Sequence, residues 1–138
     1  MEKDENRLTE HFRMEEFVYS AMAVEFGLDN SLPLGVMPAI RNLTVRLLEP
    51  LRVYHRQPMY ITSGYRSEEL NWLVGGSPNS QHMRGEAVDI YVLDRYRLLE
   101  DLQGSLLNFD QAILYREKGF VHLSLKKQGV NRRQVLFK

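Results

Sequence analysis

Residues 80–92 read SQHMRGEAVDIYV, a polar, glycine-containing approach followed by a run in which apolar residues alternate with others. Strand side chains point to the two faces in turn, so Val88, Ile90 and Val92 share one face while Ala87, Asp89 and Tyr91 share the other. The apolar trio marks the side turned toward a core, and Asp89 points away from it. Downstream, GFVHLSLK at 119–126 repeats the pattern, with Val121, Leu123 and Leu125 on one face and Phe120, His122, Ser124 and Lys126 on the other. His122 therefore also points away from the core.

Strand and helix signals extend outward from this pair. PMYITSGYRS, 58–67, opens with a β-rich run over Met59–Thr62 that breaks at Gly64. Next come a short helix, SEELNWL, capped by Ser67, and a loop, VGGSPNS, that delivers the chain to His82. Behind Asp94 as a cap, DRYRLLEDLQGSLL has helical spacing; FDQAILY and GFVHLSLK read as strands joined around REKG, and QVLF as a closing edge strand. Toward the N-terminus, Phe17, Val18, Ala21, Val24 and Phe26 predict one helix from Met14 to a stop at Gly27, with its apolar stripe in the core. A second helix runs from Met37 or Pro38 to His55 and is kinked or split at Pro50. Helices come first and strands dominate the second half, so the expected fold class is α+β, with N-terminal helices packed on a small antiparallel sheet.

The chain has 138 residues, 43% of them hydrophobic, which suits one domain over 1–138, with 1–11 expected as a flexible N-terminal segment. Lys plus Arg and Asp plus Glu both number 18, so no global field favours a nucleic acid or an acidic membrane surface, and a neutral or zwitterionic substrate is expected. Without cysteine, a transition metal has only nitrogen and oxygen ligands, and the histidines are His11, His55, His82 and His122. The charged start, MEKDENRLTEHFRMEE, has no secretory character, and no run approaches about 18 apolar residues, so synthesis in the cytoplasm without a signal peptide is expected, as a monomer.

If the two strands belong to one sheet, Asp89 and His122 converge on its non-core face, and Gly85 lets the preceding loop turn His82 back over them. Two imidazoles and a carboxylate suit zinc with one position left open. The plain alternative is a solvated strand Asp and hydrogen-bonded surface histidines.

SGYRS, Asn71, VGGSPNSQHMRGEAVDI and then FDQ with FVHLSL together resemble the zinc D-Ala-D-Ala carboxypeptidase-like peptidases, notably the short phage and bacterial members that cut peptidoglycan peptides; the hedgehog signalling domain shares their fold. The resemblance runs from about Phe12 to the end, and the Ser-x-His-x-x-Gly-x-Ala-x-Asp pattern at 80–89 is its most specific part. It implies one zinc ion held by His82, Asp89 and His122 in a zinc-dependent peptidase acting on peptidoglycan stem peptides or cross-links. It also implies release to the cell wall at lysis, or carriage by a phage particle.

On this resemblance Arg66 faces substrate near the zinc, where its planar fork suits a carboxylate or a scissile carbonyl; the alternative is a salt bridge bracing its loop. Ser80 either contacts substrate or caps the turn before His82. Several relatives carry Glu or His three residues before the last zinc histidine, where this chain has Gly119. Glu117, at the hairpin tip, is then the candidate catalytic base, in a segment similar to one of hedgehog; it is otherwise a charged turn residue. Asp110 is the candidate to orient a zinc-binding imidazole, or else a turn residue before its strand. The rival to catalysis is a silent zinc-containing module that binds cell wall or peptide.

Overall fold

The computed structural model describes residues 5–138, so the first four residues of the expected flexible segment lie outside the described residues. Residues further along that segment make contacts: Leu8 packs on the core, and the His11 backbone N–H and Nδ1 both meet the Glu49 carboxylate.

The fold is α+β. Strands β1 (Tyr60–Ser63), β2 (Ala87–Tyr91), β3 (Gln111–Leu114), β4 (Val121–Ser124) and β5 (Gln134–Phe137) form one sheet in the order β1-β2-β4-β3-β5. Three of the four pairings are antiparallel; β5 lies parallel to β3, a departure from the all-antiparallel expectation. The reason is where the chain returns. The carboxylate of Asp110, just before β3, accepts from Arg132 Nε and Nη2 and from the Arg132 backbone N–H, and Gln134 N–H donates to the Asp110 carbonyl at 3.0 Å. The last strand is thus pinned at the start of β3 and must run alongside it in the same direction.

The alternation read from sequence holds on the core face. Val88, Ile90, Val92, Val121, Leu123 and Leu125 are all buried in one cluster. Covering them are α3 (Met37–Leu43) and α4 (Glu49–His55), which contribute Ile40, Leu43 and Leu51, and α6 (Arg95–Gly104), which contributes Leu98, Leu99 and Leu102. Each such side chain stabilises the fold by roughly 1.5–3 kcal/mol when removed from water. Between α3 and α4 the residues Thr44–Leu48 form a π-helical segment. Proline at 50 has no N–H to bond back, and widening the turn before it keeps one nearly continuous rod instead of a broken one. His55 closes this rod onto α6, its Nδ1 lying 2.6 Å from Asp101. α6 stops at Gly104 and does not run on to Leu107; Leu106 adopts φ +64, which no helix continues through.

The predicted first helix is two short ones, α1 (Met14–Val18) and α2 (Ala21–Glu25), with Ser20 capping the second through the Ala23 N–H. The competitor for the helical ladder is the loop after β1. Tyr65 N–H takes the Phe17 carbonyl at 2.6 Å, a bond that a continuous helix would have used for itself. Only Phe17 and Ala23 of these helices are buried, while Val24 and Phe26 are exposed, so the expected core stripe is partial. The short α5 (Glu68–Leu73) is capped by Ser67 as expected, the hydroxyl accepting from Leu70 N–H.

Gly64 sits where β1 gives way to this loop, and a Cβ there would lie 2.5 Å from the Phe17 carbonyl oxygen. Backbone cannot yield as a side chain tip can. Gly64→Ala is therefore expected to destabilise the protein by about 1–3 kcal/mol, read as a lowered midpoint in urea unfolding.

Candidate metal centre

Register creates the centre. Across β1, β2, β4 and β3, the residues Ser63, Asp89, His122 and Ile113 stand directly opposite one another in a single row. Directly paired side chains on one sheet face lie within contact, which brings His122 Nδ1 to 2.9 Å from Asp89 Oδ1. His82 arrives from a 3₁₀ turn, Gln81–Arg84, that begins with the Ser80 hydroxyl accepting from His82 N–H and ends at Gly85 with φ +73. A Cβ on Gly85 would also lie 2.6 Å from Val36 Cγ1, so both the handedness and the close approach to the helical layer demand glycine. The imidazoles of His82 and His122 then meet edge to face, with centroids 5.1 Å apart.

One ligand atom from each of His82, Asp89 and His122 lies within 4.8 Å of the others, a group that could hold a metal ion. The donor chemistry fits. His82 Nδ1 sits 2.8 Å from the Gly64 carbonyl, which can only accept, so Nδ1 carries the proton. In the neutral ring, Nε2 then turns a lone pair toward Asp89 Oδ1 at 3.3 Å. Two acceptors face to face are repulsive unless a proton or a cation lies between them. Asp89 is 6% exposed; burial would raise its pKa, but the bonds and charges of His122 and His82 outweigh this and hold the carboxyl well below its ordinary range. The centre is thus an anionic oxygen and ring nitrogens sharing one point.

Arg66 occupies the other oxygen of the same carboxylate, with Nη2 donating to Asp89 Oδ2 at 3.1 Å. Its Nε donates to Ser63 Oγ and its Nη1 approaches Asn71 Oδ1 at 3.4 Å, so the salt-bridge alternative is what this guanidinium makes. Burial pulls the Arg66 pKa down, against the opposing pull of Asp89. Arg66 also lines the cleft over the centre. The loop carrying it hangs on Asn30, whose amide donates to the Val18 and Tyr65 carbonyls and accepts from Ser67 N–H. In sequence Asn30 reads only as a helix stop; a bracket between residues this far apart has no local signal.

The cleft, of about 590 Å³, is lined by all three candidate ligands together with Arg66, Ser80, Tyr115 and Lys118. Among the described residues lining it, Asp89 is the sole carboxylate, whereas Arg66, Arg84, Lys118, Lys126 and Arg132 are basic. Net neutrality of the chain therefore conceals a cleft whose lining carries more basic than acidic side chains. Glu117 does not join it: the residue is exposed in the β3–β4 turn and is not among the lining residues. Asp110 is spent elsewhere, fully buried against Arg132 with Lys126 Nζ at 3.8 Å, and makes no bond to either imidazole. The acceptor that orients His82 is the Gly64 carbonyl. Tyr115 shares the site face of β3 with Ile113; carrying the strand alternation two residues on from Ile113 would have found it.

Three residues that could hold a metal ion, set on the non-core face of a small α+β sheet beneath a cleft with basic lining, make a candidate metalloprotein site. Residues 10–124 match the family described as Peptidase M15, and no curated protein matches the chain. The chain belongs to Peptidase M15, the zinc D-Ala-D-Ala carboxypeptidase-like family of metallopeptidases.

His82→Ala and Asp89→Asn are each expected to reduce bound zinc to well below one ion per chain, measured by plasma emission on dialysed protein. The bonds and charges of Arg132 outweigh burial and hold the Asp110 carboxyl below its ordinary value. A folded pKa below the unfolded one gives stability that is present above about pH 4 and lost as pH falls through the folded value. Arg132→Ala is expected to cost about 1 kcal/mol at pH 7, discounted for the exposure of its side chain, and progressively less in urea unfolding toward pH 2.

Proposed function

We propose that the protein is a zinc peptidase that hydrolyses amide bonds in peptidoglycan stem peptides or their cross-links, of carboxypeptidase or endopeptidase type. The observation that carries this reading is the convergence of His82, Asp89 and His122 beneath an open cleft whose remaining charges are all basic, in a chain of a metallopeptidase family. When bound there, the cation supplies Lewis acidity, polarising a scissile carbonyl and making water acidic enough to attack it near neutral pH.

The chain's own residues do the rest. Gly64 holds the tautomer of His82 that leaves Nε2 free to ligate. Arg66 steadies Asp89 through Oδ2, keeping Oδ1 directed between the imidazoles, and brings its positive charge to the cleft lining, where a substrate carboxylate would be favoured. The Lys118 ammonium forms no ion pair among the described residues and offers a second positive charge to the cleft, beside the Tyr115 ring. Stem peptides present terminal and side-chain carboxylates, so a basic cleft complements them. Ser80 serves the turn that presents His82, and its place in the lining leaves it within reach of a bound peptide.

One observation favours the rival reading of a catalytically silent zinc module: no carboxylate other than Asp89 lines the cleft among the described residues to act as base. Zinc-loaded and chelator-stripped protein, incubated with purified peptidoglycan, separates the two readings. The expected result is zinc-dependent release of peptide fragments, identified by mass spectrometry; bound zinc without product on several wall chemistries overturns the peptidase reading.

A further inference from the structure

Attack on an amide places negative charge on the carbonyl oxygen, and a fixed donor aimed at that oxygen is among the strongest aids a site can give. Glu117 is exposed and is not among the residues lining the cleft, and Gly119 has no side chain, with open space where its Cβ would be. Of the cleft's basic groups, Arg66 is committed to Asp89, Arg84 to Glu86, and Arg132 and Lys126 to Asp110. Among the described residues that leaves Lys118 with no ion pair, beside the neutral donors of the lining: Ser77, Asn79, Ser80 and Gln81 on the stretch before His82, Gln111 at the start of β3 and the phenol of Tyr115 just past its end.

Tyr115 is held where such a donor is needed. Continuing the Leu114↔Val121 register sets it opposite Phe120, whose carbonyl accepts its N–H at 3.1 Å. It shares a face with Ile113, the direct partner of His122, and is therefore the diagonal neighbour of a candidate ligand, a separation that long aromatic side chains span. The ring is clamped rather than loose. Phe120 packs against it with centroids 4.7 Å apart, the Lys118 ammonium lies 5.4 Å from its centroid, and Arg95 holds its backbone carbonyl. The phenol lines the cleft with all three candidate ligands, yet its hydroxyl bonds to nothing among the described residues. A buried or half-buried tyrosine hydroxyl ordinarily has a partner, and here the residue lines an open cleft. Burial and the charge of Asp89 raise its pKa, so the group keeps its proton at neutral pH.

We propose that Tyr115 is a catalytic residue whose hydroxyl, from the end of β3, donates a hydrogen bond to the substrate oxygen that becomes negative on attack. This rests on the peptidase reading and assigns its transition-state contact. It adds no covalent step: the hydroxyl keeps its proton throughout and stabilises charge by hydrogen bonding alone.

Tyr115→Phe removes that donor and leaves the ring contacts with Phe120 and Lys118 in place. The test measures, on zinc-loaded wild-type and variant protein with metal content checked on each, calorimetric binding of a phosphinate analogue of D-alanyl-D-alanine, and in parallel hydrolysis of peptidoglycan peptides. The expected result is unchanged zinc, phosphinate binding weakened about tenfold or more, and kcat lowered roughly 100-fold with KM nearly unchanged. Equal phosphinate affinity in the two proteins overturns the proposal, as does a wild-type protein that binds zinc but no phosphinate. Weakened phosphinate binding in the variant, with no hydrolysis by the wild type, supports the contact while sinking the peptidase reading, so the two failures are distinguishable.

Discussion

The structure depends on Asp89 Oδ1, toward which two imidazole nitrogens converge from separate parts of the chain. A carboxylate this deeply buried is costly unless it is paired, and each element around it contributes a partner. β4 brings His122 by direct pairing, the 3₁₀ turn brings His82, and the loop after β1 brings Arg66 to the second oxygen. Were any of the three displaced, the remaining charge would be left in a low-dielectric setting with too few bonds.

That constraint explains why glycine appears where it does. Gly64 must let α1 approach closely enough for its own carbonyl to meet His82, and Gly85 must turn in the left-handed region while Val36 presses from above. The same pressure divides the first helix, because the Phe17 carbonyl is claimed by Tyr65. Local preference for a longer helix yields to a bond that anchors the loop carrying Arg66. Asn30 completes the anchor from outside the sheet, donating to and accepting from three backbone groups at once.

Charge is arranged on the same logic at a larger scale. A chain with equal numbers of acids and bases collects basic side chains around one cleft while several acids are used as internal partners, Asp110 for Arg132 and Asp101 for His55 among them. Most of those bases are paired, Arg66 with Asp89, Arg84 with Glu86, and Arg132 and Lys126 with Asp110, which leaves Lys118 as the basic side chain of the cleft with no ion pair among the described residues. Family membership in Peptidase M15 accords with such a cleft above three candidate ligands.

The sequence by itself determined which face of β2 and β4 meets the core, because a period of two is carried by each strand alone and needs no partner to be read. It also marked His82, Asp89 and His122 as candidates, along with the Ser67 and Asp94 caps, which act within a few residues of themselves. Only the tertiary structure decided that Asp89 and His122 are opposite each other, that β5 runs parallel to β3, that Asp110 is bonded to Arg132, and that Tyr115 lines the cleft while Glu117 does not. These are questions of register and of competition for distant partners. A strand's own residues state which way each side chain points, but the neighbour it meets is set by loops, bulges and ion pairs many residues away.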